Sequence, residues 1–334
     1  MSPCESIGGR ERRSRQQGFS LLEMLLAIAI LMVVTGIVMS AMMQMTATQG
    51  TVGNRTEMHS SVRSATELLQ QEIGQAGKIS LPNASNLKLS GAVATIDGTA
   101  SSVTVSSAAN MFTGEQLVID TGDKEETVTL TAVIPATNTV TAIFTIAHAN
   151  TAPVRVGGTF ATGIVPKSAT NGSGDFVLKL YGDIDDDGSM KYIEYTCDSS
   201  TGPPTTGGNL YRNAVTVTAG AAKPTTLTSS MVILSNILPN PPDSGGTTPA
   251  PCFKYQEKPA GADKYVVDVS VTLTVQTQNL DPQTHQFQQE TKALLNVSPR
   301  NVFEGWQLAS GGVLNRIQPM PADAAGMDVK DLLP

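Results

Sequence analysis

The chain has 334 residues, of which 22 are lysine or arginine and 29 are aspartate or glutamate, so its formal net charge is −7. Nucleic-acid phosphates repel an acidic chain, and we therefore expect no nucleic-acid partner. Aromatic residues make up only 4% of the chain, whereas threonine, serine, alanine and glycine are abundant. This composition favours a β-rich protein outside the cytoplasm over a compact enzyme.

The first predicted element is a long apolar helix. Residues 24–43 carry no charge, and only Thr35, Gly36 and Ser40 interrupt their apolar character. A helix of this length measures about 30 Å and can cross a bilayer. Basic residues on its N-terminal side predict that this end stays in the cytoplasm. They are Arg10, Arg12, Arg13 and Arg15.

A lone carboxylate, Glu23, lies at the start of this apolar run. A charge in a membrane span costs about 2.5 kcal/mol or more, and such a residue usually has a function and a partner. In the first helical turn the carboxylate interacts favourably with the helix dipole, but it needs a cation within the membrane.

Residues 18–23, Gly-Phe-Ser-Leu-Leu-Glu, resemble the processing motif of type IV prepilins and of type II secretion pseudopilins. The resemblance implies that a membrane prepilin peptidase cuts after Gly18 and that the new N-terminus, Phe19, is methylated. It also implies that Glu23 pairs with the N-terminal amine of a neighbouring pilin subunit. Two alternatives are a signal peptide and a plain anchor. The apolar run exceeds the usual h-region of about 7–15 residues, and a plain anchor has no use for Glu23.

After the membrane segment, apolar residues recur at intervals of three and four, which predicts a helix with one buried face. Gly77 supplies a helix stop, and we expect a bend or a melted turn at Gly50 and Gly53. Residues 58–77 resemble the corresponding helix of PilW-type minor pilins. The predicted buried residues are Met58, Val62, Ala65, Leu69, Ile73 and Ala76.

Residues 78–166 contain short strand-like runs separated by Gly, Asp, Asn and Pro, which predicts a small antiparallel barrel or sandwich inserted into the chain. Residues 114–130 are similar to β modules of bacterial and phage surface proteins. Two interpretations stay open: a displayed module with a surface ligand, or an insertion that only packs. The predicted strands are 103–105, 116–119, 127–130 and 140–144.

Residues 175–181 and 191–195 alternate like the strands of a hairpin, and the loop between them matches the calcium-loop pattern D-x-D-x-D-G-x5-E. Oxygens at alternate positions wrap a hard cation while Gly188 makes the tight turn, although Lys191 stands where water or a polar side chain usually completes the shell. The alternative is a solvated acidic turn. The predicted structural Ca²⁺ ligands are Asp183, Asp185, Asp187, the Ser189 carbonyl and Glu194.

The chain contains three cysteines, of which two lie in the predicted head. Cys4 lies in the predicted leader, which leaves Cys197 and Cys252 as an even pair. In an oxidising periplasm this pair predicts a disulfide, and two free buried thiols are the alternative.

The predicted fold is α+β: a long transmembrane and amphipathic pilin helix carries a β-rich head with an inserted small β module. Residues 265–275 and 293–297 read as paired strands of the head, and the sequence beyond Trp306 reads as a loosely held tail. The predicted divisions are a leader at 1–18, the pilin helix at 19–77 with its membrane part at 19–43, the β module at 78–166, the head at 167–301 and the tail at 302–334.

No known catalytic motif is present: there is no G-x-S-x-G, no phosphate-binding glycine loop and no H-E-x-x-H. We therefore expect no enzyme. The resemblance implies a minor type IV pilin that primes, caps or decorates a pilus, first in the inner membrane with a periplasmic head and then in the filament. The alternatives are a type II secretion pseudopilin and an adhesin or binding module on a pilin anchor.

Overall fold

The structure is a computed structural model that describes residues 18–94, 96–168, 171–199, 207–224, 226–325 and 327. The predicted leader lies outside the described residues except for Gly18, and so do Cys4 and the leader arginines. The chain forms two compact units. One contains the residues up to Gly53 together with Asp281–His285, and the other contains Asn54–Leu280 and the residues from Gln286 onward.

The N-terminal helix, α1, spans Leu21–Gln75. It continues through Gly50 and Gly53, so the expectation of a melted turn is wrong, and a bend there stays a prediction. Each glycine costs a helix only about 1 kcal/mol relative to alanine, which the cooperative turns on both sides can offset. The predicted stop is correct: Gly77 follows the helix with a φ of 81°, a conformation that glycine adopts without steric cost.

In the first unit, a short loop is attached to α1. The Thr51 hydroxyl donates to Asp281 Oδ1 at 2.8 Å, and the Gln283 side-chain amide donates to the Thr48 hydroxyl at 3.0 Å. Asp281 also accepts from the Gln283 backbone N–H at 2.7 Å, which shapes the loop itself.

In the second unit, the C-terminal half of α1 packs its predicted apolar face into a hydrophobic core. All six predicted residues are buried, and Leu69 and Ile73 are completely so. The same core contains the inward-facing residues of the head sheet, such as Leu178, Ile193 and Val269. Burial of each such side chain contributes roughly 1.5–3 kcal/mol, so packing fixes this part of the helix.

The predicted β module forms an antiparallel five-stranded sheet with its own hydrophobic core. Its strands are β1 Ala100–Thr104, β2 Gln116–Ile119, β3 Glu126–Ile134, β4 Thr139–Ile143 and β5 Val154–Val156. They lie in the order β1-β4-β3-β2-β5. Leu117 and Ile119 on β2, a strand that the sequence predicted, both face the core of the module.

The head is a larger antiparallel sheet. Its strands and the short strands around it are β6 Thr159–Phe160, β7 Val177–Gly182, β8 Lys191–Cys197, β9 Gly208–Thr216, β10 Val232–Leu238, β11 Asn240–Pro242, β12 Pro249–Ala250, β13 Phe253–Ala260, β14 Asp263–Gln276 and β15 Gln289–Val297. The sheet order is β13-β14-β10-β9-β8-β7, and β15 also pairs with β14. The predicted hairpin is therefore β7 with β8. Short 3-10 helices occupy Ala84–Asn86, Gly122–Lys124, Pro135–Thr137 and Ser229–Met231.

The expectation of a loosely held tail is wrong for the segment that follows β15. This segment forms α2 Arg300–Ser310, β16 Ile317–Gln318 and α3 Ala322–Ala325. Val302 is completely buried in the head core, with Trp306 packed against it. These residues recur at helical spacing, which the abundance of small residues concealed. Strand β16 pairs in parallel with β6, and Gln318 exchanges amide hydrogen bonds with the backbone of Gln116 at 2.9 Å.

Candidate processing motif and calcium loop

The predicted processing motif lies at the start of α1. Gly18 and Phe19 precede the helix, and Phe19 is 85% exposed. The Glu23 backbone N–H donates to the Ser20 hydroxyl at 3.2 Å and to the Ser20 carbonyl at 3.0 Å. Ser20 therefore caps the helix. The spacing S-x-x-E is a capping-box pattern, so the role of Ser20 could have been read from the sequence.

Glu23 is exposed on the first turn of α1. Within the part of the chain that the structure describes, its carboxylate makes no ion pair. The N-terminal amide groups of the helix favour a negative charge at this position. The pairing of Glu23 with the N-terminal amine of a neighbouring subunit stays a prediction.

The apolar half of α1 is exposed along its length. Leu21, Leu25, Ile37 and Met43 each expose more than 60% of their surface. Among the described residues, α1 is the one helix that is long and apolar enough to cross a membrane, judged by length and composition. An apolar surface of this extent requires lipid or other apolar helices around it.

Comparison with known protein families gave one match: residues 13–39 fit the family described as the Prokaryotic N-terminal methylation motif. The motif overlaps the start of a long apolar helix that carries a β-rich head, and it supports a precursor of the type IV pilin and pseudopilin kind in general. The chain carries the type IV prepilin signature. The motif implies processing by prepilin peptidase and assembly with other pilins. No curated protein and no solved structure matched the chain.

The predicted calcium loop connects β7 to β8, but its first aspartate binds protein groups. Asp183 is buried and accepts the backbone N–H groups of Asp187 at 3.0 Å and Gly188 at 3.1 Å, and it also accepts the Ser80 hydroxyl. Gly188 has a φ of 79°, and a Cβ there would lie 2.5 Å from the Pro82 nitrogen. The loop is therefore closed by Asp183 and packed against the chain beyond α1.

The other loop carboxylates face lysines. Lys191 bonds to Asp185, and its Nζ lies 3.1 Å from Asp187 Oδ2. Hydrogen bonding to Lys191 lowers the pKa of Asp187, and hydrogen bonding to Asp185 raises the pKa of Lys191. Asp186 is paired with Lys78 at 2.5 Å. The ninth-position lysine thus lies between two of the predicted ligands.

Glu194, the predicted closing ligand, is directed elsewhere. It is completely buried on β8, where it bonds to Tyr192 and to Lys223 Nζ, the latter at 2.7 Å. Among the described residues, no group of three His, Cys, Asp or Glu side chains is arranged to hold a metal. In this arrangement the side chains of Asp183, Asp185, Asp187 and Glu194 bind protein groups, and calcium binding stays a prediction.

The structure joins Cys197 and Cys252 in a disulfide with a Cα–Cα distance of 6.5 Å. Cys197 ends β8, and Cys252 directly precedes β13. Both residues belong to the head core. The bond links the end of β8 to the residue before β13, and these two strands are far apart in the order of the head sheet. The sequence alone suggested this bond only because two cysteines remain after the leader.

Proposed function

We propose that this protein is a minor subunit of a type IV pilus, made as an inner-membrane precursor and incorporated after prepilin peptidase has cut between Gly18 and Phe19. The observation that carries the proposal is the arrangement at the start of α1. An exposed Gly-Phe junction directly precedes an exposed apolar helix with one carboxylate in its first turn.

This arrangement suits assembly in an apolar environment. Cleavage at the junction creates a positively charged amine on Phe19. In a medium of low dielectric constant, an amine and a carboxylate attract each other more strongly than in water. Glu23 of one subunit is thus the counter-ion for the N-terminus of the next, and the pair sets how far one helix slides along another.

The size of the head supports a minor rather than a repeated role. A shaft is built from many copies, so every copy must fit its head around the bundled helices. This head combines the large sheet with the five-stranded β module. We propose that it lies on the periplasmic side before assembly and that it caps, primes or decorates the filament.

The first test is the N-terminus of the protein isolated from cells, measured by mass spectrometry. We expect a chain that begins with N-methylated Phe19. A chain that keeps the residues before Gly18, or that begins beyond residue 43, contradicts the proposal. A deletion strain then separates the pilus role from the pseudopilin role: loss of piliation with normal secretion supports the former, and the reverse result supports the latter.

A further inference from the structure

A cavity of about 380 Å³ lies where the β module meets the head. Its apolar lining includes Met111 and Phe112 from the β module, Phe160 from β6, and Met190 and Val217 from the head. The rings of Phe112 and Phe160 stack with centroids 6.3 Å apart. A volume of this size is within the range of small-ligand sites, which are mostly apolar with a few convergent polar groups.

The ionisable side chains among the described residues that line the cavity are all acidic. Two ionisable side chains, Glu115 and Asp323, lie among the described residues that line the cavity, and both are acidic. No lysine, arginine or histidine belongs to this described lining. Aromatic faces also attract cations, so the wall is complementary to a cation that carries an apolar stem.

Glu115 is a lining residue with a buried oxygen that lacks a hydrogen-bond partner among the described residues. It is completely buried, and its Oε2 accepts the Phe112 backbone N–H at 3.2 Å, but its Oε1 has no hydrogen-bond partner among the described residues. Burial raises the pKa of Glu115 to about 8. A buried polar atom without a partner costs roughly 1–3 kcal/mol, which a donor from a ligand would recover.

The backbone holds Glu115 in place. Its N–H donates to the Phe112 carbonyl at 3.2 Å, and its carbonyl accepts the Leu130 N–H at 2.9 Å. Gly114 before it has a φ of 93°. The carboxyl group thus lies on a fixed turn that directly precedes β2. A side chain held in this way is a preorganised counter-ion.

We propose that this cavity binds a primary alkylammonium group, with the apolar stem against the stacked pair of Phe112 and Phe160 and the ammonium on Glu115. The group is supplied either by a free alkylamine or by a lysine side chain of another protein. This inference does not depend on the pilus assignment, since it concerns the surface between the β module and the head.

Isothermal titration calorimetry on the full mature chain in detergent tests the proposal, with n-butylammonium as the probe and 1-butanol as its uncharged counterpart. We expect butylammonium to bind at least about tenfold more tightly than butanol. Proton release should accompany binding, because the cation favours ionised Glu115. Two buffers of different ionisation enthalpy measure that release. Equal binding of the two probes, or binding without proton release, overturns the proposal.

Variants assign the effect to the carboxylate. Glu115→Gln keeps the shape and should weaken butylammonium binding about tenfold or more, whereas Asp123→Asn, an exposed acid of the same module, should change nothing. Wild-type affinity in Glu115→Gln overturns the assignment, and the proton-release measurement decides the matter if that variant does not fold. Nα-acetyl-lysine methylamide then separates the sources: tighter binding than butylammonium identifies a protein lysine, and weaker binding identifies a free amine.

Discussion

Glu72 on α1 holds the guanidinium of Arg212 on β9. Glu72 Oε1 accepts from Arg212 Nη2 at 2.5 Å and from Nε at 3.0 Å, while Tyr195 donates its hydroxyl to Glu72 Oε2 at 2.5 Å. Burial and the Glu72 carboxylate raise the pKa of Tyr195, so the phenol stays protonated and donates. The network fixes the rotation of the helix against the head sheet, because a bidentate pair tolerates little displacement.

Glu72→Gln should therefore lower the free energy of unfolding of the head by about 3 kcal/mol, since Arg212 is left without its counter-ion. Urea unfolding of the mature chain in detergent, followed by the fluorescence of Trp306, measures this loss. Glu67→Gln breaks an exposed pair on the same helix and is the matched control, with an unchanged midpoint. An equal loss in both variants would show that the buried pair has no special role.

The disulfide should stabilise the head by closing a long loop. Cys197 and Cys252 are separated by 55 positions, for which the chain-entropy model gives about 4 kcal/mol. The double variant Cys197→Ser/Cys252→Ser should unfold at correspondingly lower urea concentration. Reductant should shift the wild type toward the variant and leave the variant unchanged. Alkylation of both thiols in the untreated native protein would rule out the bond.

The β module should lose stability in acid. His148 is buried between Asp120 and Glu126, with ring nitrogens 3.2 Å and 2.7 Å from their carboxylate oxygens. The hydrogen bond with His148 lowers the pKa of Asp120. Burial acts to raise the pKa of Glu126, but hydrogen bonds from the Thr145 backbone and His148 outweigh it and lower the pKa.

Because both pKa values are lowered by folding, the ionised carboxylates stabilise the module above their unfolded pKa values of about 4, and this contribution is lost as pH falls through the lower folded values. The melting temperature should drop across that interval. At neutral pH the Glu126→Gln variant should have a lower melting temperature than the wild type, and its melting temperature should fall less in acid. The Asp123→Asn variant should follow the wild type. Parallel wild-type and Glu126→Gln profiles would count against this explanation.

The calcium loop gives a sharp comparison at Lys191. With its ammonium on Asp185 and Asp187, Lys191 competes with calcium for two of the predicted ligands. Calcium at about 10⁻³ M, the weak end of extracellular sites, should therefore raise the melting temperature of Lys191→Met by more than it raises that of the wild type, each measured against chelator. Equal shifts would show that Lys191 does not compete, and no shift in either protein would remove the calcium prediction.

Glu23→Ala should leave processing intact but reduce incorporation into filaments, because the N-terminal amine of the neighbouring subunit loses its counter-ion within an apolar environment. The amount of the protein in sheared filaments measures incorporation, and the mass of the N-terminus verifies processing. Glu67→Ala, an exposed acid further along α1, is the control. Wild-type amounts of the Glu23 variant in filaments would remove the pairing role.

Local patterns determined the elements whose burial repeats along the chain. The uncharged run specifies one apolar helix, and the intervals of three and four from Met58 to Ala76 and the alternation in β14 each specify one element and one buried face. The processing motif could equally be predicted from the sequence, because its residues form one continuous segment. The capping role of Ser20 could also have been predicted from its spacing to Glu23.

The ion-pair partners of charged side chains could not be predicted from local sequence patterns. Glu72 and Arg212 lie 140 positions apart, and Glu194 sits on the right spacing for a calcium ligand yet faces Lys223. The sequence by itself determined the long apolar helix, the helix face from Met58 to Ala76 and several strands, since these depend on neighbours within one or two turns, but it did not reveal α2 or β16. Only the tertiary structure decided which acid meets which base, because strand order and register bring together side chains that no local period connects.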